Sequence, residues 1–217
     1  MGKDFFVSEG SIALTLLNVY SSIVLKTHLA AFVFDPVKLN LDSPPFDDSV
    51  IDAIVITHEH ADHFDKGLVL EMQGRSGAQI LTTPFVARKL GVKTENLGAG
   101  ESVKIKDMTF YAERCVHPAN QPLAFVMKTE GVTIYHPSDS EAFPEMEEVK
   151  NKYKPDILLY LGTTKKGLVD ITELVRPKIV VSYFAPRFAD LKVPGVQLKM
   201  VKQFETFIYP EAPGFTN

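Results

Sequence analysis

Apolar positions along this chain recur mostly in short runs rather than in long helical stripes. Ile12–Val19 and Ile23–Thr27 read as two strands around a turn at Tyr20–Ser22, and Ala31–Phe34 as a third that ends at Asp35-Pro36. A proline- and aspartate-rich loop, Val37–Ser49, then holds Pro44-Pro45. Ile51–Thr57 ("IDAIVIT") is mostly apolar and rich in isoleucine, as a strand covered on both faces would be. Lys66–Met72 is predicted to be helical and Gln79–Thr83 a strand. Pro84–Leu90 is predicted to be a helix, with proline at its start and Gly91 at its end. After a linker, Val92–Glu101, the strand pattern resumes at Val103–Lys106, Thr109–Glu113, Leu123–Lys128 and Val132–Tyr135. A charged helix at Glu145–Tyr153 follows. Apolar strands at Ile157–Leu161 and Lys178–Phe184 then flank a short helix near Val169–Val175. A last helix is predicted over Val196–Glu205, ahead of a proline-containing tail.

Strands followed by βα units, twice over, give an α+β / α/β fold in which two packed sheets carry helices outside. The repeat divides near Gly98–Glu101, so residues 1–98 and 99–217 read as two similar halves sharing one core in a single domain. At 217 residues, with 45% hydrophobic and 23% charged positions, the chain can bury a core without disulfides. The only cysteine, Cys115, has no intrachain partner, and nothing points to an oxidising compartment. Cys115 is two residues before His117 and could be a ligand or nucleophile; a small buried apolar residue is the plainer reading. Asn18, Ser21 and Ser22 interrupt Ser11–Leu25, which is too short and polar to cross a bilayer. The expected location is cytoplasmic, with no membrane partner. A net charge of -4 and the lack of any Lys/Arg-rich run argue against nucleic acid as a partner. A homo-oligomer stays open.

Chemistry concentrates in Thr57–Phe64, "THEHADHF", where three of the six histidines fall beside an aspartate. Metal ligands must carry lone pairs and converge on one point. Imidazole and carboxylate suit zinc, and similar sets suit iron or manganese. His58 and His60 are two apart, so an extended segment points them to one side. Asp62 and His63 follow where the chain turns toward a helix, which aims them at a neighbouring point. One loop can thus supply two ligands to each of two metals.

"HEHADH" has the His-x-His-x-Asp-His form of the metallo-β-lactamase superfamily, and the chain resembles its branch of small metal-dependent hydrolases, which includes ascorbate-phosphate lactonase-like proteins. "FVFDP", "LGAGESVKI" and "TIYHPSDS" resemble further landmarks of that branch in the same order. The resemblance implies a four-layer αββα sandwich with a metal site at one edge between the sheets. It also implies that His58, His60 and His117 hold a first metal. Asp62 and His63 would contribute to a second, and Asp139 would bridge the two. On their own, His117 is as well read as a turn histidine and Asp139 as a turn residue.

The chain departs from the branch in three places. Tyr183 stands about where a histidine should complete the second metal site, Tyr20 replaces the histidine of a Gly-His-Ser turn, and Ser138 replaces a glycine. The first metal keeps three imidazoles and an open position, the layout of a catalytic zinc. The expectation is therefore one tight site with a second weak or absent, filled by Zn2+ or alternatively by Mn2+ or Fe2+. Tyr183 can donate to an oxyanion, ligate, or simply pack in the core. His136 is either a partner that orients a ligand or a strand-end histidine. Asp62 can orient the nucleophile, and Tyr183 and His136 are the candidates for protonating a leaving group. The expected function is hydrolysis of a small ester, lactone or phosphoester by metal-activated hydroxide. The alternatives are a degenerate member that binds metal or ligand without turnover and, below that, a nuclease. His28 reads as an exposed turn residue, and Lys165-Lys166 as a solvated pair beside the site.

Overall fold

The computed structural model describes residues 7–41, 46, 48–129, 131–162, 164–182 and 192–210. The first half folds into β1 (Ile12–Leu16), β2 (Ile23–Lys26), β3 (Ala31–Phe34), β4 (Ala53–Val55), β5 (Gln79–Thr82) and β6 (Glu95–Asn96). Helices α1 (Lys66–Ser76) and α2 (Pro84–Leu90) fall between the last three strands. The second half supplies β7 (Ser102–Ile105), β8 (Met108–Arg114), β9 (Leu123–Lys128), β10 (Thr133–His136), β11 (Ile157–Tyr160), β12 (Ile179–Ser182) and β13 (Gln197–Met200), with α3 (Met146–Tyr153) and α4 (Lys165–Val175). A final strand, β14 (Thr206–Tyr209), crosses back to the first sheet. The two sheets run β14-β1-β2-β3-β4-β5-β6 and β13-β12-β11-β10-β9-β8-β7.

Each sheet begins as an antiparallel meander and continues as parallel strands. β1 to β3 pair antiparallel and β3 to β6 parallel; β8 to β10 pair antiparallel and β10 to β13 parallel. Strand alternation sorts the side chains into layers. Ile12, Leu14, Phe32, Phe34 and Val55 meet Phe110, Phe125, Met127, Leu159 and Val181 between the sheets. Val24, Val33, Ile54 and Ile80 face outward onto Val69, Met72 and Val86 of α1 and α2. Val126, Tyr135, Leu158 and Val180 face outward onto Val149, Leu168 and Ile171 of α3 and α4. The molecule is the expected αββα sandwich.

The predicted last helix is the main correction. Val196–Glu205 contains no helix: Gln197–Met200 is β13, parallel to β12, and β14 follows it. Leu198 and Met200 pack on the outer apolar layer while Gln197 is exposed, a period of two. Pairing at a sheet edge outweighed the helix propensity of "LKM". β1 is shorter than predicted because Leu17–Ser22 forms a turn, and the linker at Val92–Glu101 contains β6, two exposed residues with no apolar signal. Lys165 and Lys166 form the first turn of α4.

Candidate metal centre

The turn after β1, the ends of β3 and β4, and the segments after β8 and β10 lie at one end of the sandwich. Asn18 ties the first of these down. Its Oδ1 accepts from the backbone N–H groups of Tyr20, Ser21 and Ser22, and its Nδ2 donates to Ser22 Oγ and to the Val37 carbonyl. Ser22 Oγ donates to the Asp35 carbonyl (2.7 Å), and Ser21 Oγ donates to the Asp62 carbonyl. Ser21 therefore braces the loop that carries the histidines, and Ser22 braces the end of β3 that carries Asp35.

Asp35, fully buried at the end of β3 with φ +43°, organises the ligands. Its Oδ1 accepts from the Thr57 N–H and its Oδ2 from the Thr57 hydroxyl, both at 2.8 Å. Having given its proton to Asp35, Thr57 Oγ1 must accept from His58 Nδ1, 3.0 Å away. That fixes the tautomer: His58 Nε2 carries a lone pair. This nitrogen is buried and has no hydrogen-bond partner among the described residues. Burial first, then the charge of His63, lowers the His58 pKa to about 4, so the ring is neutral at pH 7.

Three ring nitrogens converge here. One nitrogen each from His58, His60 and His117 lie within 4.8 Å of one another, and His117 Nε2 is 3.0 Å from His60 Nδ1. Tetrahedral ligands with metal–nitrogen bonds of about 2.0–2.1 Å lie about 3.3 Å apart, so the donor set fits a transition metal such as zinc. Burial likewise lowers the pKa of His117, which favours the neutral form that ligates.

A second group joins His58, His63 and Asp139. His63 Nδ1 donates to Asp35 Oδ2 at 2.8 Å, and its Nε2 is 3.2 Å from Asp139 Oδ2. Burial opposes charge on His63, but Asp35 and Asp139 outweigh it and push its pKa up to about 10. Burial also opposes charge on Asp139, yet the hydrogen bond and charge of His63 bring it down to about 2. His117 Nε2 is 3.8 Å from Asp139 Oδ2, which places this carboxylate beside both groups.

The structure thus brings together His58, His60, His63, His117 and Asp139. Asp62 is exposed and lines the cleft above them, and neither group includes its carboxylate. His136 is fully buried on the inner face of β10, its ring 5.8 Å from that of Phe34. Its Nδ1 accepts from the Ser138 N–H, and burial lowers its pKa to about 4. Tyr183 lies outside the described residues. Cys115 packs against the outer apolar layer, and burial pushes its thiol up to about 12, which suits the structural reading. Sequence reasoning missed Asp35, Thr57 and the Asn18 turn as supports. The available signals were an aspartate ending a buried strand and a threonine directly before the histidines. Ser138 sits at φ +56°, which explains why glycine would be at home there.

Above the donors opens a cleft of about 610 Å3, bounded by the Val19–Tyr20 turn, the Ser138–Ala142 segment and the start of α4. No helix among the described residues is long and apolar enough to cross a membrane.

Comparisons with known proteins agree with this architecture. Residues 30–172 match the model of the beta-lactamase superfamily domain. The chain is 30% identical over 197 residues to a UPF0173 metal-dependent hydrolase of Staphylothermus marinus, covering 81% of this chain and 84% of that protein. Among solved structures, a metallo hydrolase from Ignicoccus hospitalis superposes with a TM-score of 0.77 at 19% identity, covering 93% of this chain and 100% of the other. A putative metal-dependent hydrolase from Parabacteroides distasonis gives 0.72 at 22%, covering 94% and 99%. With its sandwich, its histidine motif and these matches, the chain belongs to the beta-lactamase superfamily and, within it, to the metal-dependent hydrolases grouped as UPF0173.

Proposed function

We propose that the chain hydrolyses a small ester, lactone or phosphoester with water activated at a metal held by His58, His60 and His117. The observation that carries this reading is the convergence of three imidazole nitrogens on one point, with a buried lone pair on His58 that has no hydrogen-bond partner among the described residues. The ion, Zn2+ in the first instance with Mn2+ or Fe2+ as alternatives, would lower the pKa of its water from about 15.7 toward about 7. Asp35 and Thr57 hold His58 in the ligating tautomer. Asp62, exposed on the cleft, can orient the attacking water and take its proton. Full burial suits His136 to supporting β10 rather than to protonating a leaving group.

One tight ion is the expected stoichiometry. Both donor groups need His58, and its single free nitrogen can serve one ion at a time. With His58 committed to the first ion, a second keeps, among the described residues, His63 and Asp139, plus Asp62 if its carboxylate swings inward. The same sharing favours a second reading, metal binding without turnover. The net charge of -4 supports a small molecule rather than nucleic acid as substrate. His58→Ala and His60→Ala, each tested with metal analysis and a hydrolase panel, should lose the ion and lower turnover at least about 100-fold. Unchanged activity in both would overturn the proposal, and bound metal with no turnover in the wild type would favour the second reading.

A further inference from the structure

The cleft wall beyond the donors carries information about substrate that the metal site does not. Its approach is apolar on one side. Val19 is 57% exposed and Tyr20 40% exposed, side by side at the edge of the cavity. The Tyr20 ring is held in place: Lys38 Nζ is 3.8 Å from its centroid, and Asn18 Oδ1 accepts from its backbone N–H. Across the start of α4, Tyr160 is fixed as well. Its hydroxyl donates to the Thr164 carbonyl, and its ring fills space that only glycine leaves open. A Cβ on Gly162 would be 2.5 Å from the Tyr160 ring, and one on Gly167 would be 2.7 Å from its hydroxyl.

The charged lining is acidic. Asp62, Asp139, Glu141 and Asp170 face the cleft, against protonated His63 and Lys166, the one lysine or arginine among the described lining residues. Lys166 is paired with Asp170 one helical turn away, and Lys38 stands over the Tyr20 ring. An ion at the histidines would offset Asp62 and Asp139. Glu141 and the Asp170–Lys166 pair would still leave the described residues of the outer wall without net positive charge. Among the described lining residues, the cations a phosphoryl group could meet are His63, already held between Asp35 and Asp139, and Lys166, already paired with Asp170, whereas an uncharged acyl chain has Val19 and Tyr20 to rest on.

We propose that this cleft selects uncharged carboxylic esters and lactones with an apolar acyl chain over phosphoesters, and that Tyr20 is a specificity-determining residue for that choice. The inference rests on the hydrolase reading above. In the reaction, the oxygen of water bonds to the acyl carbon and the acyl carbon–oxygen bond breaks. The alcohol leaves with one proton of the water, and the carboxylic acid keeps the remaining hydroxyl and then loses its proton to solvent.

The test compares p-nitrophenyl butyrate, acetate and phosphate as substrates of the full chain loaded with Zn2+ or Mn2+. Butyrate should exceed phosphate in kcat/KM by at least about tenfold. Tyr20→Ala should lower the butyrate-to-acetate ratio of kcat/KM about fivefold, and Tyr20→Phe should restore it. Glu141→Gln should raise kcat/KM for the phosphate a few-fold, by roughly the removal of one screened repulsion. A phosphate preference, or a butyrate-to-acetate ratio that Tyr20→Ala leaves unmoved, overturns the proposal. If no ester of any kind is turned over, the hydrolase reading fails, and binding of butyranilide and inorganic phosphate by calorimetry still decides the selectivity. Tighter anilide binding that Tyr20→Ala weakens upholds it; tighter phosphate binding overturns it.

Discussion

Thr57 decides which nitrogen of His58 faces the other imidazoles. Its hydroxyl passes the acceptor character of Asp35 to His58 Nδ1 and leaves Nε2 free to bind. Thr57→Val keeps the shape and removes the relay, so metal affinity should fall about 10- to 100-fold with the fold intact, as a chelator competition would read. His63 behaves differently. Asp35 and Asp139 keep it protonated up to about pH 10, whereas His58 and His117 are already neutral at pH 7. A first ion at His58 and His117 should therefore take no proton from either ring. A second, bound through His63 Nε2, must expel about one. Calorimetric titration at pH 6.5, where a water bound to the ion stays mostly un-ionised, in buffers of different ionisation enthalpy separates the two cases; equal proton release in both steps would contradict the assigned charge states.

At the scale of elements, the C-terminal strand offers the sharpest test of the fold. Phe207 of β14 is buried in the layer between the sheets, and β14 pairs with β1 along Ile12–Thr15. Phe207→Ala should cost about 3–5 kcal/mol in urea denaturation, a loss that a loosely attached tail would not show. This strand and β13 were not legible as such in the sequence. Val196–Glu205 carries leucine, lysine and methionine that suit a helix, and only the free edge of β12 makes it a strand. The earlier elements were legible because their period was unambiguous: buried runs such as "AFVF" and "LAFVM", and helices closed by Gly91 or capped by Thr83. The histidine motif announced itself through its spacing. Asp35 and Thr57 did not, because their work lies in hydrogen bonds between β3 and the loop after β4, and no local pattern encodes those bonds.

For the whole molecule, the buried titratable groups set a pH profile for the metal-free protein. His58 and His136, with folded pKa values of about 4, are protonated more readily when unfolded, so stability falls as pH drops from about 6.5 through 4. Asp139 adds to the acid loss as pH falls from about 4 toward 2. His63 has the opposite sign. Its contribution is full below about 6.5, the unfolded value, and fades as pH rises to about 10. Urea midpoints of the metal-free chain should therefore peak near neutrality and decline on both sides; a profile that keeps rising to pH 10 would contradict the His63 assignment. One further consequence comes from where the donors originate. His58, His60 and His63 follow a strand of the first sheet, and His117 and Asp139 follow strands of the second. A cation gripped by both sets rivets the two sheets at their open end, so capture of the ion should appear as resistance to heat. Melting curves with and without chelator could thus rank candidate metals before any substrate is known.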